Sequence, residues 1–197
     1  MPISKKIINS LKGKKHAVIT HKKVFTAYDL AATLEKELNE VAKALLVELD
    51  KQLAVAFLPA SHNLDFKKLA KLSGAKKVSI SKENVIKKKV GAEPGTLPAF
   101  QTMVKLPFFA EKALLKCRTV HFPAGSFTEC IAMSPKDWAK LNTVALGSFG
   151  SPNKILSPIK QAVVQRKEAA KTRKQDKLKR KQINKKQLAK KAKKRKK

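Results

Sequence analysis

An α+β domain with a basic C-terminal tail is the fold class this sequence predicts, and three observations lead to it. Apolar runs of strand length, such as Lys43–Leu49 and Leu53–Leu58, alternate with equally short capped helical stretches. The connections between them are brief and rich in Gly, Pro, Asn and Ser, which favours antiparallel strands with helices packed around them. Beyond Pro158 there is neither Gly nor Pro, and residues 160–197 carry 19 Lys/Arg against two acids, Glu168 and Asp176.

The elements follow in order. Residues 1–15 read as a basic, poorly patterned lead-in, and His16–Val24 as a first strand. Thr26 is placed to cap a helix, with Asp29 at the position that reaches back to it. Leu30, Leu34 and Leu38, at spacing four, carry that helix to about Leu38. Lys43–Leu49 and Leu53–Leu58 flank Asp50-Lys51-Gln52 and predict a hairpin. Asn63 caps a helix over Leu64–Leu72 that Gly74 ends. Lys77–Ile80 is a strand, and Ser81 opens a short helix through Lys88. Gly91–Pro98 holds two glycines and two prolines and predicts a loop. Cys117–Phe122 and Phe127–Met133 flank Pro-Ala-Gly-Ser as a second hairpin. Ser134, with Pro135 after it and Asp137 in the first turn, starts a helix through about Leu141. Residues 147–158 read as a linker between a domain over 16–146 and a tail over 159–197. The five-residue spacing of Leu178, Ile183 and Leu188 gives no seam, so the tail is expected to be disordered alone and helical on RNA.

The 197 residues, 43% of them apolar, suffice for one well-filled domain and an appendage. A net charge of +31 points to a polyanionic partner; +17 of it falls on residues 160–197 and +14 on the rest. No apolar run approaches the roughly 18–20 residues of a membrane span. The N-terminus lacks the apolar region of a secretory signal. Cys117 and Cys130, expected on adjacent strands as small core residues, give neither a disulfide framework nor a zinc site. A cytoplasmic protein with no metal, cofactor or membrane partner is the expectation.

Lys43 is the residue that asks for an explanation: an ammonium group at the start of Lys43-Ala-Leu-Leu-Val. It either snorkels to a strand edge as a solubility charge or is held for a ligand. From the residues alone both readings stand.

The run Ala42–Val47 is followed by Leu58-Pro59-Ala60, Leu64-Asp65, Gly74-Ala75-Lys76-Lys77-Val78, Gly91, Gly95, Leu106-Pro107 and Ala124-Gly125-Ser126. In this order, over roughly residues 16–145, the sequence resembles the YbaK/prolyl-tRNA-synthetase-associated family, whose members hydrolyse mischarged aminoacyl-tRNA. The resemblance implies a mainly antiparallel mixed sheet or barrel with short helices. It implies that Lys43 is the functional lysine, and that Gly91–Ala99, with Gly95 catalytic and Pro98 substrate-facing, is the loop approaching the aminoacyl ester. It further implies that His21, Phe25, Thr26, Gly91, Gly125 and Ser126 contact substrate, and that tRNA is the partner, with a synthetase or the ribosome as a further one. Four positions depart from the family pattern. The loop proline stands one place early, at Pro98 ahead of Ala99, and Gln101 replaces a common glycine. Phe127 or Thr128 stands where some members carry a histidine, and an Asp common after the Leu-Pro segment is replaced near Ala110-Glu111.

The chemistry implied needs a cation for phosphate and backbone donors for an oxyanion, with no protein base. The tail supplies sequence-independent RNA affinity, with Arg166, Lys167, Arg173, Lys174, Arg180, Lys181, Lys185 and Lys186 as participants. Bland alternatives stand beside this. The glycines suit turns, His21 and His121 suit core hydrogen bonds, and His62 suits a loop. The Phe residues suit core positions, and a single tyrosine argues against a base-stacking platform. Three functions compete: a trans-acting aminoacyl-tRNA deacylase, a catalytically inactive YbaK-like RNA-binding protein, and a nuclear protein addressed by its terminal basic run.

Overall fold

Ser4 starts the first helix, α1 (Lys5–Ser10), by accepting from the Lys6 N–H at 3.3 Å. The structure, a computed structural model, describes residues 3–153. The chain divides into two units, Met1–Pro158 and Ile159–Lys197. The eight tail residues assigned to RNA lie outside the described residues, as does the expected helix formation there. The lead-in is part of the domain: Ile7 and Leu11 are fully buried in the main core. The Lys-rich composition of 1–15 conceals one apolar face of a short helix.

Strand β1 (His16–Thr20) is shorter than expected, and α2 (Ala27–Thr33) begins at Thr26, which accepts from the Asp29 N–H at 3.1 Å. Its hydroxyl also donates to Asp29 Oδ2 at 2.8 Å. The helix stops at Thr33, not Leu38, because Glu35 takes a left-handed φ of 52°. Leu38 is buried by a separate 3₁₀ turn over Leu38–Glu40, so spacing four survived across a break.

β2 (Ala42–Leu49) and β3 (Gln52–Pro59) pair antiparallel along their whole length, from Ala42 opposite Pro59 to Leu49 opposite Gln52. The Asp50 carboxylate accepts from the Lys76 and Lys77 N–H groups at 3.2 and 2.8 Å, tying the turn to the next strand. β4 (His62–Leu64) absorbs both the expected cap Asn63 and the expected loop residue His62. The cap of α3 (Phe66–Ser73) is instead Asp65, and Gly74 ends it at φ 75°. β5 (Val78–Ile80) leads into α4 (Glu83–Val85), which continues as a π turn over Ile86–Val90 ended by Gly91 at φ 72°. β6 is Phe108–Glu111, and a 3₁₀ turn over Lys112–Lys116 follows it. Cys117 follows that turn and lies on no strand. β7 (Val120–Pro123), β8 (Glu129–Met133) and α5 (Pro135–Leu141) match the expected hairpin and capped helix, with Ser134 as cap.

The expected linker begins with two strands, β9 (Val144–Gly147) and β10 (Gly150–Pro152). Its glycines serve close packing. A Cβ on Gly147 would overlap the Leu72 side chain, and one on Gly150 would press on Glu111, His62 and Leu58 at 3.2 Å. Composition that reads as flexibility here marks a strand wedged against the body.

Among the described residues the strands form three sheets, ordered β5-β2-β3-β6-β9, β1-β8-β7 and β10-β4. Pairing is mainly antiparallel, with β3–β6 and β6–β9 parallel. The barrel expected as one form does not close. The five-stranded sheet has β5 and β9 as edges, and only a single bridge, Val41 to His121, links β2's lead-in to the β7 hairpin.

β3 shows why the sheet is central. Val55 and Phe57 face the core built on Trp138, Phe100, Phe108 and Phe122, while Ala54, Ala56 and Leu58 face a second core with Leu69 and Phe149. Side chains alternate across a strand, so burial of both sets covers both faces of this sheet. Trp138 stacks on Phe122 at 4.6 Å and donates its Nε1–H to the Ala99 carbonyl at 2.6 Å. That bond fixes the end of the Gly91–Ala99 loop to the core.

Candidate functional site

Lys43 stands near the start of β2, directly opposite Leu58 of β3. Ala42 and Leu46 on either side belong to the main core, so the strand is rigid where the lysine leaves it. The side chain is half-buried, and its Nζ lies 5.9 Å over the ring of Tyr28 from α2. Burial pulls its pKa below the usual lysine range of 10.5. Among the described residues it makes no ion pair: the two salt bridges there are Lys68–Asp65 and Lys87–Glu93. A half-buried ammonium without an acid is a ready seat for an anion. β5 pairs with β2 only over Val47–Leu49, so at Lys43 the strand has β3 alone beside it and its other edge is free for a ligand or for solvent.

Lys43 opens onto a cavity of about 370 Å³. Its walls come from the 21–30 segment, from β2, from Ile80–Ile86, from the Pro94–Leu97 part of the glycine loop and from the 123–130 hairpin. Leu30, Ala42, Leu46, Ile86 and Leu97 make it largely apolar. That volume lies in the common range of small-molecule sites, about 300–1,000 Å³.

His21, Phe25, Thr26, Lys43, Gly95 and Ser126 all line the cavity, so the structure brings together six of the nine residues expected there. Gly91, Pro98 and Gly125 stand outside the lining. Gly91 ends the π turn, with open space where a side chain would be. A Cβ on Gly125 (φ 82°) would lie 3.3 Å from Pro98, so those two residues seat the loop on the hairpin. The Ala99 N–H, bonded to the Pro123 carbonyl at 2.9 Å, does the same. Gln101, in place of a common glycine, joins the loop to the segment after α5. Its side chain reaches the Thr143 N–H and the Leu106 carbonyl, and its own N–H donates to Asn142.

Gly95 is the closest approach of loop to wall. Its φ is 88°, and a Cβ there would stand 2.8 Å from the Phe25 carbonyl oxygen and 3.6 Å from the Phe127 ring. Gly95→Ala is therefore expected to cost about 1–3 kcal/mol of stability through backbone strain. It would also move the loop away from the 21–26 segment; urea unfolding with binding measurements on the same sample checks both.

The two cysteines are poor nucleophiles. Cys130 lines the cavity, but burial pushes its thiol up to about 12, which leaves almost no thiolate at neutral pH. Cys117, whose thiol burial also raises, donates to the Asn39 carbonyl at 3.3 Å. His121 is buried with Nδ1–H donating to the Glu40 carbonyl at 3.1 Å, a core hydrogen bond as expected. His21 pairs Nδ1 with the Lys22 carbonyl at 2.8 Å.

Sequence reasoning missed Tyr28 and Lys23, and noted Phe127 only as a departure from the family pattern, not as a ring beside the site. Tyr28 covers Lys43 and accepts from Asn153 Nδ2 at 3.0 Å, an interaction spanning most of the domain. Lys23 lies over the rings of both Phe25 and Phe127. Only Lys23-Val-Phe25, a base beside an aromatic, was visible locally.

The model of the aminoacyl-tRNA editing domain matches residues 21–141, the span that builds this cavity. The chain belongs to the aminoacyl-tRNA editing family, the YbaK/prolyl-tRNA-synthetase-associated group. A proline–tRNA ligase of Staphylococcus saprophyticus is 30% identical over 84 residues, which is 42% of this chain and 15% of the ligase. The chain thus matches a small part of that relative's length. Two solved structures share the fold of this editing domain. A hypothetical protein has a TM-score of 0.67 at 19% identity, over 75% of this chain and all of its own. A protein described as a candidate trans-editing enzyme for prolyl tRNA synthetase has 0.66 at 17%, over 76% and 99%.

Proposed function

We propose that this editing domain is a trans-acting aminoacyl-tRNA deacylase that hydrolyses the ester of mischarged tRNA. The observation that carries the proposal is Lys43, an acid-free, half-buried ammonium opening onto an apolar cavity in a chain of this family. In this reading Lys43 binds the phosphate or ribose of the terminal nucleotide, and its charge is worth most where water is scarce. The Thr96 and Ala99 N–H groups are committed to the Glu93 and Pro123 carbonyls, so oxyanion donation falls to the backbone around Gly95. Water attacks the ester carbonyl, and the substrate's ribose hydroxyl relays the proton in place of a protein base. The walls are largely apolar, with Lys43, Glu83 and Glu129 as the charged lining, which favours an amino acid with an apolar side chain.

The tail takes the role of a tether. Arg166, Lys167, Arg173, Lys174, Arg180, Lys181, Lys185 and Lys186 neutralise phosphates and raise the local concentration of tRNA around a small acceptor-end site. Deleting residues 159–197 is expected to weaken tRNA binding and flatten its salt dependence, by about 0.7–0.9 in log–log slope for each phosphate no longer neutralised. The melting temperature of the domain should hold. Filter binding across a salt series, with thermal melts, checks this.

The decisive experiment incubates the protein with a panel of mischarged tRNAs and follows release of the amino acid. Release of at least one that depends on Lys43 supports the proposal, and release of none rejects it. Phe127, standing where some members carry a histidine, favours the second reading, an RNA-binding protein without catalysis. It predicts tail-dependent binding, no release from any mischarged tRNA, and no effect of Lys43→Met.

A further inference from the structure

Phe25 is 59% exposed, an unusual fate for a phenylalanine beside a site. The ring is nonetheless held. Phe127 supports it at 5.2 Å between centroids and 56° between planes. The segment carrying it is tied down at both ends: the His21 N–H donates to the Thr128 carbonyl at 2.8 Å and the Val24 N–H to the Phe127 carbonyl at 3.0 Å. Gly95, lacking a Cβ, lets the Phe25 carbonyl pack closely on the loop. Thr26 immediately starts α2. A costly exposed aromatic is thus fixed in orientation at the rim of the cavity that Lys43 enters.

Lys23 completes the arrangement. Its Nζ lies 5.1 Å from the Phe25 centroid and 5.6 Å from that of Phe127, an exposed cation–π interaction that it can exchange for a stronger anion. Rings 5.2 Å apart leave no slot between them, so a ligand would lie on the outer face of Phe25. The surroundings are cationic, with Lys22 also exposed. A flat π-face beside exposed cations matches a base with its phosphate, and it matches an acidic or neutral apolar peptide less well.

We propose that Phe25, backed by Phe127, stacks the unpaired terminal base of a single-stranded RNA 3′ end while Lys23 takes the adjoining phosphate. This rests on the editing-domain reading and deepens it: the base stays on the rim, and the esterified ribose points inward to Lys43. It also revises the expectation that this chain lacks a stacking platform. Two phenylalanines, one of them exposed, form it, while the single tyrosine, Tyr28, lies over Lys43 instead.

The test uses the full chain and a fluorescein-labelled RNA hairpin with a short single-stranded 3′ end finishing in adenosine, beside the same RNA with an abasic last residue. The tail binds both alike, so its contribution cancels in the ratio of their affinities. Wild-type protein is expected to favour the intact RNA by about 5- to 150-fold, the usual worth of one stacked base. Phe25→Ala removes that preference, and Phe25→Tyr keeps it. Phe127→Leu, which retains apolar packing, reduces it. Lys23→Met weakens both RNAs equally and lowers the salt slope by about 0.7. Equal binding of the two RNAs by wild type overturns the proposal. So does a Phe25→Ala variant that melts normally but loses both RNAs alike, which would make the patch a docking surface of another kind. Full displacement by equimolar adenosine monophosphate would reassign the site to a free nucleotide. No step needs a mischarged amino acid, so a protein that discriminates the RNAs yet deacylates nothing sinks the deacylase reading and leaves this one standing.

Discussion

Lys43→Met is expected to lower deacylation about 10²- to 10³-fold, the usual loss when a positioned charge-stabilising group is removed. The same substitution should leave the domain at least as stable as before. Burial pulls the Lys43 pKa below 10.5, so the folded state holds this ammonium at a cost. The sign follows from linkage. Below the folded pKa both states are protonated and the penalty is carried in full. Between the folded pKa and 10.5 the unfolded chain binds a proton that the folded chain lacks, so stability rises with pH. At neutral pH, replacing the charge by an apolar chain of similar length removes the penalty. The missing Tyr28 cation–π interaction is offset by sulfur–aromatic packing on the same ring. The gain is expected to be small, because the group is only half-buried and solvent screens much of the penalty. Loss of activity with retained or raised stability is the signature of a residue kept for a ligand; a solubility charge would move neither quantity. The activity of the wild type should decline on the alkaline side as Lys43 deprotonates, earlier than an ordinary lysine would. Steady-state deacylation from neutral to alkaline pH, with urea unfolding at both ends, measures these effects.

How much of this was legible follows from the range of the interactions. The β2–β3 hairpin, the Thr26 and Ser134 caps and the Gly74 stop are local, set by residues within a few positions of each other, and they read correctly. Helix α2 was overextended because Leu38 kept the helical spacing after Glu35 had broken the helix. The lead-in and the supposed linker failed for another reason. Ile7 and Phe149 are buried by partners far away in sequence, and their neighbours are dominated by Lys or by Gly and Ser. At the site, the resemblance led to Lys43 and Gly95, whereas Tyr28 and Phe127 needed the fold to bring them in. Phe25 was named through the resemblance as a substrate contact, but its exposure was not legible, since a phenylalanine in sequence argues for the core.

Glu111 shows what the segment after α5 contributes, and Glu111→Ala is expected to destabilise the domain by about 3–5 kcal/mol. The side chain is buried at the end of β6 and paired with no cation among the described residues. Backbone donors hold it instead: the Phe149 N–H at 2.6 Å, the Gly150 N–H at 2.5 Å and the Ala113 N–H at 3.3 Å. Hydrogen bonds to a charged group contribute about 1.5–3 kcal/mol each, and alanine leaves the buried Phe149 N–H without a partner. Phe149, fully buried in the second core, then loses the anchor that sets it there. The consequence reaches the site. Residues 149–153 run along 61–65, with the Asp65 and Asn153 N–H groups bonded to the Phe149 and Ser61 carbonyls, and Asn153 holds the Tyr28 hydroxyl. Releasing that strand frees the ring that covers Lys43. Glu111→Gln gives the control. One amide oxygen can still accept from Phe149 and Gly150, and only the long Ala113 bond and the charge are lost, so about 1–2 kcal/mol is expected. Chemical denaturation of the two variants beside the 159–197 deletion separates the roles. If Glu111 anchors the last strand, alanine costs far more than glutamine, and removing the whole basic tail costs the domain nothing. Equal midpoints for alanine and glutamine would assign the carboxylate no such part.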